Sequence, residues 1–366
     1  MKKNILATII LLTVILTGCS DNKTSNNNSE GTFSTLPTSP TPTSETATTT
    51  ATSDNTSEID STDTTDTMDE IFLDSVTAGV RNPKSTYTYQ GSPLNLEYQY
   101  SAVGAKSVGF VILCDGFSVP YSTNLSTEEK SMHIIPHEGD GVKIDVDFKF
   151  TPIGKKGDKI SIEVVDIVAP DYDISQLDLN TEDGSGIYPI IFGKRFFHAY
   201  TTIIVDMQAD GAENNNTISN KYTKTEIPPT DIESFLSEND DGTFTNQLDF
   251  LQASGTITAP DGTKNNLAQI VNQGDKIKLE FQYCGTNGLG TDKIITSFYL
   301  NNEIYPIFEG KNYAECEIDK QNYSLVTGEL DTSNLEKGRY ICYALSGNDT
   351  TNLMTNCLPT FVIEVE

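Results

Sequence analysis

An internal repeat limits the fold of this chain more than any other feature. Residues 90–100 read QGSPLNLEYQY, and residues 273–283 read QGDKIKLEFQY. In both segments a turn signal is followed by apolar residues that alternate with polar ones. This period of two is the pattern of a half-buried β-strand. We therefore expect two copies of one β-structure.

The correspondence continues beyond these first strands. Residues Val108–Cys114 followed by Asp115-Gly116 match Ile294–Leu300 followed by Asn301-Asn302. Both dipeptides tolerate positive φ, so each fits a two-residue hairpin turn. Because Cys114 takes the place of Leu300, it is expected to be a small buried apolar residue and not a reactive thiol.

Later strands complete each copy. Gly157–Val164 is paired with Gly338–Leu345, and the closing strands are expected at 201–207 and 360–365. Each copy then has about seven short strands, which is typical of an antiparallel β-sandwich. The pattern resembles the immunoglobulin-like class over residues 72–208 and 244–366. Tyr340, two residues before Cys342, resembles the tyrosine corner of that class. The fold class is thus predicted to be all-β, with two tandem immunoglobulin-like sandwiches.

The N-terminus has the features of a processing segment. Lys2 and Lys3 precede an apolar run from Ile5 to Leu16, which suits the core of a signal peptide. The run ends in Leu16-Thr17-Gly18-Cys19, which resembles the lipobox of bacterial lipoproteins. This resemblance implies that residues 1–18 are removed and that Cys19 is lipidated and inserted in a lipid bilayer. An ordinary secretory signal or a transmembrane anchor are the alternatives.

Two further segments separate the predicted domains. Residues 19–68 are mostly Ser, Thr, Asn, Pro, Asp and Glu. A segment of this composition buries too little apolar surface to offset its chain entropy, so a disordered tether is expected. Residues 209–243 are predicted to be a linker with one short helix near Asp231–Leu236, capped by Thr230.

Charge and cysteine content restrict the partners and the crosslinks. The formal net charge of −28 argues against nucleic acid and polyanionic surfaces. In an exported chain disulfides are permitted, and a Cys342–Cys357 bond would close a hairpin loop. Cys284 and Cys342 have a separation typical of an immunoglobulin inter-sheet bridge. However, the alternation places Cys284 opposite the apolar face.

Metal and catalytic motifs are weak. His133 and His137 are four residues apart, but Pro136 lies between them and the segment is strand-like. They are therefore expected to face solvent without holding a metal. Oxygen-rich loops at 206–211 and 238–242 leave calcium open, although neither has EF-hand spacing. No cofactor is expected, and no hydrolase elbow motif is present.

The connection between residues 170 and 189 differs most between the two copies. It is long and rich in acidic and tyrosine side chains, and loops at one end of a sandwich often carry binding sites. A tolerated insertion is the alternative. The candidate binding residues are Asp171, Tyr172, Asp173, Asp178, Asp183 and Tyr188.

Together these features predict an extracytoplasmic, membrane-anchored lipoprotein at the cell surface. Its expected function is non-catalytic binding of a protein or glycan ligand at the cell envelope, and it is not expected to be an enzyme. A structural spacer or assembly component of an envelope complex is the alternative. An extracellular carbohydrate-active enzyme is the third hypothesis.

Overall fold

The computed structural model describes residues 75–179, 197–238, 244–264, 268–286, 292–348 and 355–366, all within one compact unit of the chain. The predicted signal peptide, Cys19 and the tether lie outside these residues and stay predictions. None of the helices in the described ranges has the length and apolar character of a membrane span.

The first half of the unit forms ten strands. They are β1 (Ser75–Val80), β2 (Tyr87–Tyr89), β3 (Leu94–Val103), β4 (Ser107–Cys114), β5 (Phe117–Ser118), β6 (Tyr121–Thr123), β7 (Met132–Pro136), β8 (Lys143–Phe150), β9 (Lys159–Val168) and β10 (Phe197–Met207). One sheet has the order β1-β3-β8-β6. The other has the order β2-β10-β9-β4-β5, and β7 also pairs with β4. In immunoglobulin lettering the first is the ABED sheet, and the second contains G, F and C.

The second half contains the remaining elements. They are β11 (Ile218–Ser219), β12 (Tyr222–Glu226), α1 (Pro229–Ser234), β13 (Leu236–Glu238), β14 (Phe244–Asn246), β15 (Gln252–Thr258), β16 (Ala268–Val271), β17 (Lys276–Cys284), β18 (Asp292–Leu300), β19 (Glu303–Ile304), β20 (Tyr313–Ile318), β21 (Asn322–Asp331), β22 (Gly338–Asn348) and β23 (Thr355–Val365). One sheet has the order β12-β21-β17-β15, and the other β11-β20-β18-β22-β23-β16. The central strands repeat the arrangement of the first half, including a parallel pair beside the last strand, β2–β10 and β16–β23. The edge strands differ, because β11 and β12 precede β15 in the chain whereas β5 and β6 follow β4.

Both halves are therefore immunoglobulin-like β-sandwiches, as the sequence pattern predicted. Each has one continuous apolar core between its two sheets. The predicted hairpin turns are present, since Asp115 and Gly116 have φ of 46° and 85°, and Asn301 and Asn302 have 48° and 70°. The tyrosine corner is also present, because the Tyr340 hydroxyl donates to the Glu336 carbonyl at 2.7 Å.

The stretch 209–243, expected to be a linker, belongs largely to the second sandwich. β11 pairs with β20, and β12 is the edge strand beside β21. The short helix is present as α1, but Pro228 precedes it at the cap position and no side chain caps it. Pro229 is the first residue of α1, where the fixed φ of proline suits the first turn and its missing N–H needs no cap. Thr230 lies inside α1 and therefore does not cap it.

The predicted alignment of Gly157–Val164 with Gly338–Leu345, between the two copies of the repeat, was wrong by one residue. Cys114 lies opposite Ile162, and Leu300 lies opposite Cys342. Because Cys114 and Leu300 correspond, Ile162 corresponds to Cys342, and Asp166 corresponds to Ser346. A slip of one residue exchanges the two faces of a strand, so this correction decides which side chains enter each core.

Candidate functional site: the interface and cleft between the sandwiches

Four strands are buried on both faces: β4 and β9 in the first sandwich, and β18 and β22 in the second. In β4, Phe110 and Ile112 enter the core of the first sandwich. Val111 and Leu113 point the other way and contact the second sandwich. A strand buried on both faces lacks the polar alternation of a half-buried one. The two sandwiches thus pack sheet against sheet.

The centre of this interface is an apolar cluster shared by both halves. The rings of Tyr299 and Tyr343 stack within it, with centroids 4.9 Å apart and planes 7° from parallel. The Tyr343 hydroxyl donates to the Asn302 side chain at 3.2 Å. Asn302 in turn donates to the Pro170 carbonyl of the first sandwich at 2.9 Å. The cluster's buried members are Val111, Leu113, Val165, Ile167, Tyr299, Tyr343 and Leu345.

Two glycines allow the backbones to meet at one edge of the interface. A Cβ placed on Gly347 would lie 3.0 Å from the Cα of Gly116. A Cβ on Gly116 would lie 2.8 Å from the Cβ of Ile295, and Gly116 also has a φ of +85°. Larger residues at either position would separate the two sheets, so the close fit depends on glycine.

The first part of the candidate binding loop docks on the second sandwich. Asp171 accepts a hydrogen bond from the Ser107 hydroxyl, and Tyr172 packs between the two halves. Asp173 accepts from the Ser175 backbone N–H at 3.0 Å and starts a short 3₁₀ helix, Ile174–Gln176. A hydrogen bond with the Ser175 side chain, followed by this backbone bond, lowers the pKa of Asp173. Asp178 is exposed.

A clamp holds this docked part in place. The Arg339 guanidinium of β22 donates to the carbonyls of Ile174, Ser175 and Leu177, at 3.1, 3.2 and 2.6 Å. Leu177 is buried against Ala268, Ile341 and Val362 of the second sandwich. Residues 171–179 thus strap one sandwich to the other. Asp183 and Tyr188 lie outside the described residues, and their role in binding stays a prediction.

A cleft of about 650 Å³ opens beside the interface. Its walls come from both sandwiches and from the chain between them, and clefts at domain boundaries are frequent ligand sites. Most of the residues that line it are polar, whereas Pro120, Met132 and Ile304 are apolar. The lining residues are Ser118, Pro120, Glu129, Lys130, Ser131, Met132, Asn216, Asn302, Glu303, Ile304, Asn312 and Tyr313.

One polar side chain in the cleft lining, Ser118, is buried. Ser118 is 8% exposed, and its hydroxyl lies beside the buried Tyr299 hydroxyl without a well-aligned hydrogen bond to any described residue. Asn302 is fixed by its bonds to both halves, whereas the Glu303 side chain is exposed. The lining holds no histidine or cysteine. Its hydroxyl, amide and carboxylate groups suit hydrogen-bonded recognition of a polar ligand.

The two histidines do not face solvent, so that expectation was wrong. His133 and His137 are 7% and 4% exposed. Their Nε2 atoms lie 2.8 Å from the Tyr121 carbonyl and 3.0 Å from the Ala102 carbonyl, each of which accepts a hydrogen bond. In β7 it is Ile134 that points outward, at 41% exposed. An imidazole that hydrogen-bonds a backbone carbonyl can occupy an inward position, and strand alternation alone does not reveal this.

Two buried carboxylates on β9 were missed by the sequence analysis. Asp166 points into the core of the first sandwich, where it accepts from the Tyr98 hydroxyl at 3.2 Å. Glu163 points toward the second sandwich. Burial raises the pKa of Glu163 to about 7, with a smaller contribution from Asp115, and raises the pKa of Asp166 well above its usual range. The sequence did carry a signal for these buried carboxylates, since two acidic residues lie within a strand composed mainly of Ile and Val.

The cysteines mostly behave as apolar residues. Cys114 is buried, as predicted, and its thiol lies 3.2 Å from the Ile153 carbonyl oxygen. Cys284 faces away from the main core, as the alternation predicted, and packs against Ile227 and Leu248. Cys342 lies in the core of the second sandwich. The structure describes the backbone of Cys357 but not its side chain, so a Cys342–Cys357 bond stays a prediction.

The acidic loops proposed for calcium hold no evident set of ligands in the described ranges. Asp210 accepts from the Lys156 backbone N–H at 2.8 Å. Within the residues that the structure describes, no group of three His, Cys, Asp or Glu side chains is placed to hold a metal. Residues 239–243, which include most of the second acidic loop, lie outside those ranges.

Comparison with known proteins gives structural likenesses alone. No family model and no curated protein matches the chain. A CARDB domain from Pyrococcus furiosus, in complex with di-metal ions, is 15% identical, covers 32% of this chain and 90% of its own, and has a TM-score of 0.23.

Two streptococcal domains cover more of the chain. The C-terminal domain of the Streptococcus agalactiae AgI/II polypeptide BspA is 9% identical over 79% of this chain and 100% of its own, with a TM-score of 0.20. The C-terminal domain of the Streptococcus pyogenes antigen I/II-family protein AspA is 7% identical over 80% and 99%, with a TM-score of 0.21. Such low scores say nothing about ligands, and the immunoglobulin-like assignment rests on the strand order described above.

Proposed function

We propose that this chain is a lipid-anchored, extracytoplasmic binding protein whose paired sandwiches recognise a ligand at the cell envelope without catalysis. The observation that carries the proposal is the interdomain cleft. Both sandwiches build its walls, and it is lined by the buried Ser118, whose hydroxyl lies beside that of Tyr299 without a well-aligned hydrogen bond to any described residue. An unsatisfied buried hydroxyl is costly, so a ligand that hydrogen-bonds there would recover free energy.

The lining suggests the chemical class of the ligand. Amides from Asn216 and Asn312, the Ser118 hydroxyl and the exposed Glu129 and Glu303 are donors and acceptors suited to a hydroxyl-rich glycan or a polar peptide segment. The excess of carboxylates in the cleft and the net charge of −28 disfavour anionic ligands. A protein or glycan partner is therefore favoured, and nucleic acid is disfavoured.

The anchoring part of the proposal rests on the lipobox-like sequence that ends at Cys19. A Cys19→Ala variant is expected to lose its lipid and to leave the membrane fraction. Fractionation of cells that make each form provides the measurement. Retention of the alanine variant in the membrane at the wild-type level would contradict lipid anchoring through Cys19.

Binding is tested with the full chain in detergent against glycan arrays and isolated envelope preparations, with calcium and with chelator. We expect saturable binding that falls at least tenfold in Glu303→Lys, because the new ammonium reverses a charge in the cleft. Glu233→Lys, which alters an exposed carboxylate on α1, is the matched control and should bind like wild type. Equal binding by all three proteins would exclude the cleft as the site.

A structural spacer is the second candidate function, and the apolar interface favours it. Sheet-to-sheet packing between domains is unusual for modules that move independently, and a stiff pair of sandwiches could hold envelope parts at a fixed separation. Absence of binding in the assay above, by protein shown to be folded, would favour this function over ligand recognition.

A further inference from the structure

Glu163 occupies an unusual place in the interface. It lies in the middle of β9, is 1% exposed and points toward the second sandwich. Neither carboxylate oxygen has a hydrogen-bond partner among the described residues. A Cβ placed on Gly347 would lie 3.2 Å from Glu163 Oε2, so the carboxyl group sits against the backbone of β22. A buried, unpaired acid of this kind calls for a physical explanation.

The surroundings disfavour the charged form. The ionisable group acting on Glu163 from its own sandwich is Asp115, whose negative charge adds to the effect of burial. The titratable groups of the facing strands within the shared apolar cluster are Tyr299 and Tyr343. Both are buried, and burial raises the pKa of Tyr299 well above its usual range, so it stays neutral. The cations of these strands, Lys293 and Arg339, are ion-paired with Glu315 and Glu364. No positive charge among the described residues offsets an ionised Glu163.

The acid also connects to the cleft. Glu163 lies opposite Leu113 on β4, and Leu113 lies opposite Ser118 on β5. These three residues form one row across the sheet, so Glu163 is two strands, roughly 10 Å, from the Ser118 hydroxyl. A change in the spacing of the two sheets at Glu163 would therefore be transmitted to the cleft wall.

We propose that Glu163 is a proton-controlled lock between the two sandwiches. The neutral acid permits close packing against β22, and loss of its proton drives the sheets apart until water reaches the carboxylate. The effect on the cleft, and hence on ligand binding, rests on the function proposed above. The effect on interdomain packing does not depend on that function.

The direction of the pH dependence follows from the two environments. In the separated state Glu163 is solvated and has an ordinary pKa near 4.3. In the closed state its pKa is raised to about 7, so closing takes up a proton. The closed state is most populated below the ordinary pKa. Its population falls as pH rises through the interval between the two values and levels off above pH 7.

Hydrogen exchange of residues 172–179 reports the opening, because this segment is held to the second sandwich by Arg339. The full chain in detergent is compared with Glu163→Gln at equal pH, which cancels the intrinsic pH dependence of exchange. We expect the wild type to exchange less than about tenfold faster than the glutamine variant at pH 5, and at least about tenfold faster again at pH 8. Glu163→Met, which is also neutral and similar in size, is a second variant in case glutamine folds poorly.

Asp166→Asn is the matched control. It neutralises a buried acid on the same strand, but one that faces the core of the first sandwich. It should leave the pH-dependent exchange of residues 172–179 as in wild type. The lock is refuted if wild type and both Glu163 variants show the same rate ratio at pH 5 and pH 8, or if Asp166→Asn removes the effect equally well. A cleft that binds nothing does not alter this result, because no ligand takes part in the measurement.

Discussion

The two sandwiches share a strand order but differ at matching positions in their cores. In the first, Asp166 on β9 accepts from the Tyr98 hydroxyl. In the second, the corresponding Ser346 on β22 lies 2.7 Å from the Tyr283 hydroxyl, which is also 2.7 Å from Thr296. Both cores thus place a polar group beside a tyrosine at this depth. Only the first uses an ionisable one.

This difference teaches that one backbone pattern can carry two electrostatic designs. Hydroxyl groups satisfy one another at any ordinary pH, so the core of the second sandwich should be indifferent to pH. A buried carboxyl is stable mainly when protonated. On the interface face of β9, Glu163 corresponds to Tyr343 of β22. Here too the first sandwich carries an acid where the second carries a hydroxyl group. The first sandwich should therefore be the pH-sensitive half.

The largest effect is expected from Phe110, whose ring packs against Tyr98, Tyr100 and Phe148 at 5.9, 5.0 and 5.4 Å between centroids. Phe110→Ala should lower the free energy of unfolding by about 3–5 kcal/mol, since it leaves a cavity in a close-packed core. Urea denaturation followed by circular dichroism measures the change. A loss below about 1 kcal/mol would mean that these rings do not hold the core together.

The next effect concerns the buried acid of the first core. The pKa of Asp166 is raised by burial in the folded state, so the folded chain holds the proton more tightly than the unfolded one. Stability of the wild-type first sandwich should therefore fall as pH rises above about 3.9, the ordinary pKa. Asp166→Asn should weaken this dependence between pH 5 and pH 8 in urea denaturation, leaving the part that Glu163 contributes. Ser346→Ala should leave the pH dependence unchanged, and a similar flattening by that variant would erase the contrast.

Arg339 provides a smaller effect, on the contact between the halves. Arg339→Met removes three hydrogen bonds to carbonyls of residues 174–177 and should cost about 2 kcal/mol. Hydrogen exchange in residues 172–179 should accelerate accordingly, while Lys337→Met, which changes an exposed side chain, should not affect it. If Arg339→Met leaves that exchange at the wild-type rate, the clamp does not hold the segment.

The smallest effect is expected in the second core. Thr296→Val keeps the shape of the side chain and removes one hydroxyl, while Tyr283 keeps its contact with Ser346. A loss of about 1 kcal/mol is expected, with no change between pH 5 and pH 8. Thermal unfolding at both pH values checks this, and a pH-dependent loss would show that an ionisable group contributes to the second core as well.

Much of the fold was predictable because alternation is a local signal. The pattern in residues 90–100 and 273–283 fixes which side chains of β3 and β17 enter the cores, and Asp-Gly and Asn-Asn fix two hairpins. The predicted alignment of β9 in the first copy with β22 in the second copy was wrong by one residue. Both strands are buried on both faces, so alternation cannot set their register.

The interface and cleft were not predicted, although part of the signal was present. The run Val108–Cys114 is apolar at nearly every position, which indicates burial on both faces and hence a second layer. No local pattern tells which sheet supplies that layer. The inward histidines and the clamp by Arg339 depend on partners distant in sequence, such as Tyr121 for His133 and Leu177 for Arg339.

Native-state hydrogen exchange of the full chain in increasing urea at pH 5 tests most directly whether the two sandwiches form one cooperative module. The interface strands to follow are β4 and β9 on one side and β18 and β22 on the other. A shared apolar interface predicts that amides in all four strands merge into one opening with a common free energy. If β18 and β22 open at a lower urea concentration while β4 and β9 keep their full protection, the sandwiches are independent domains and the module does not exist.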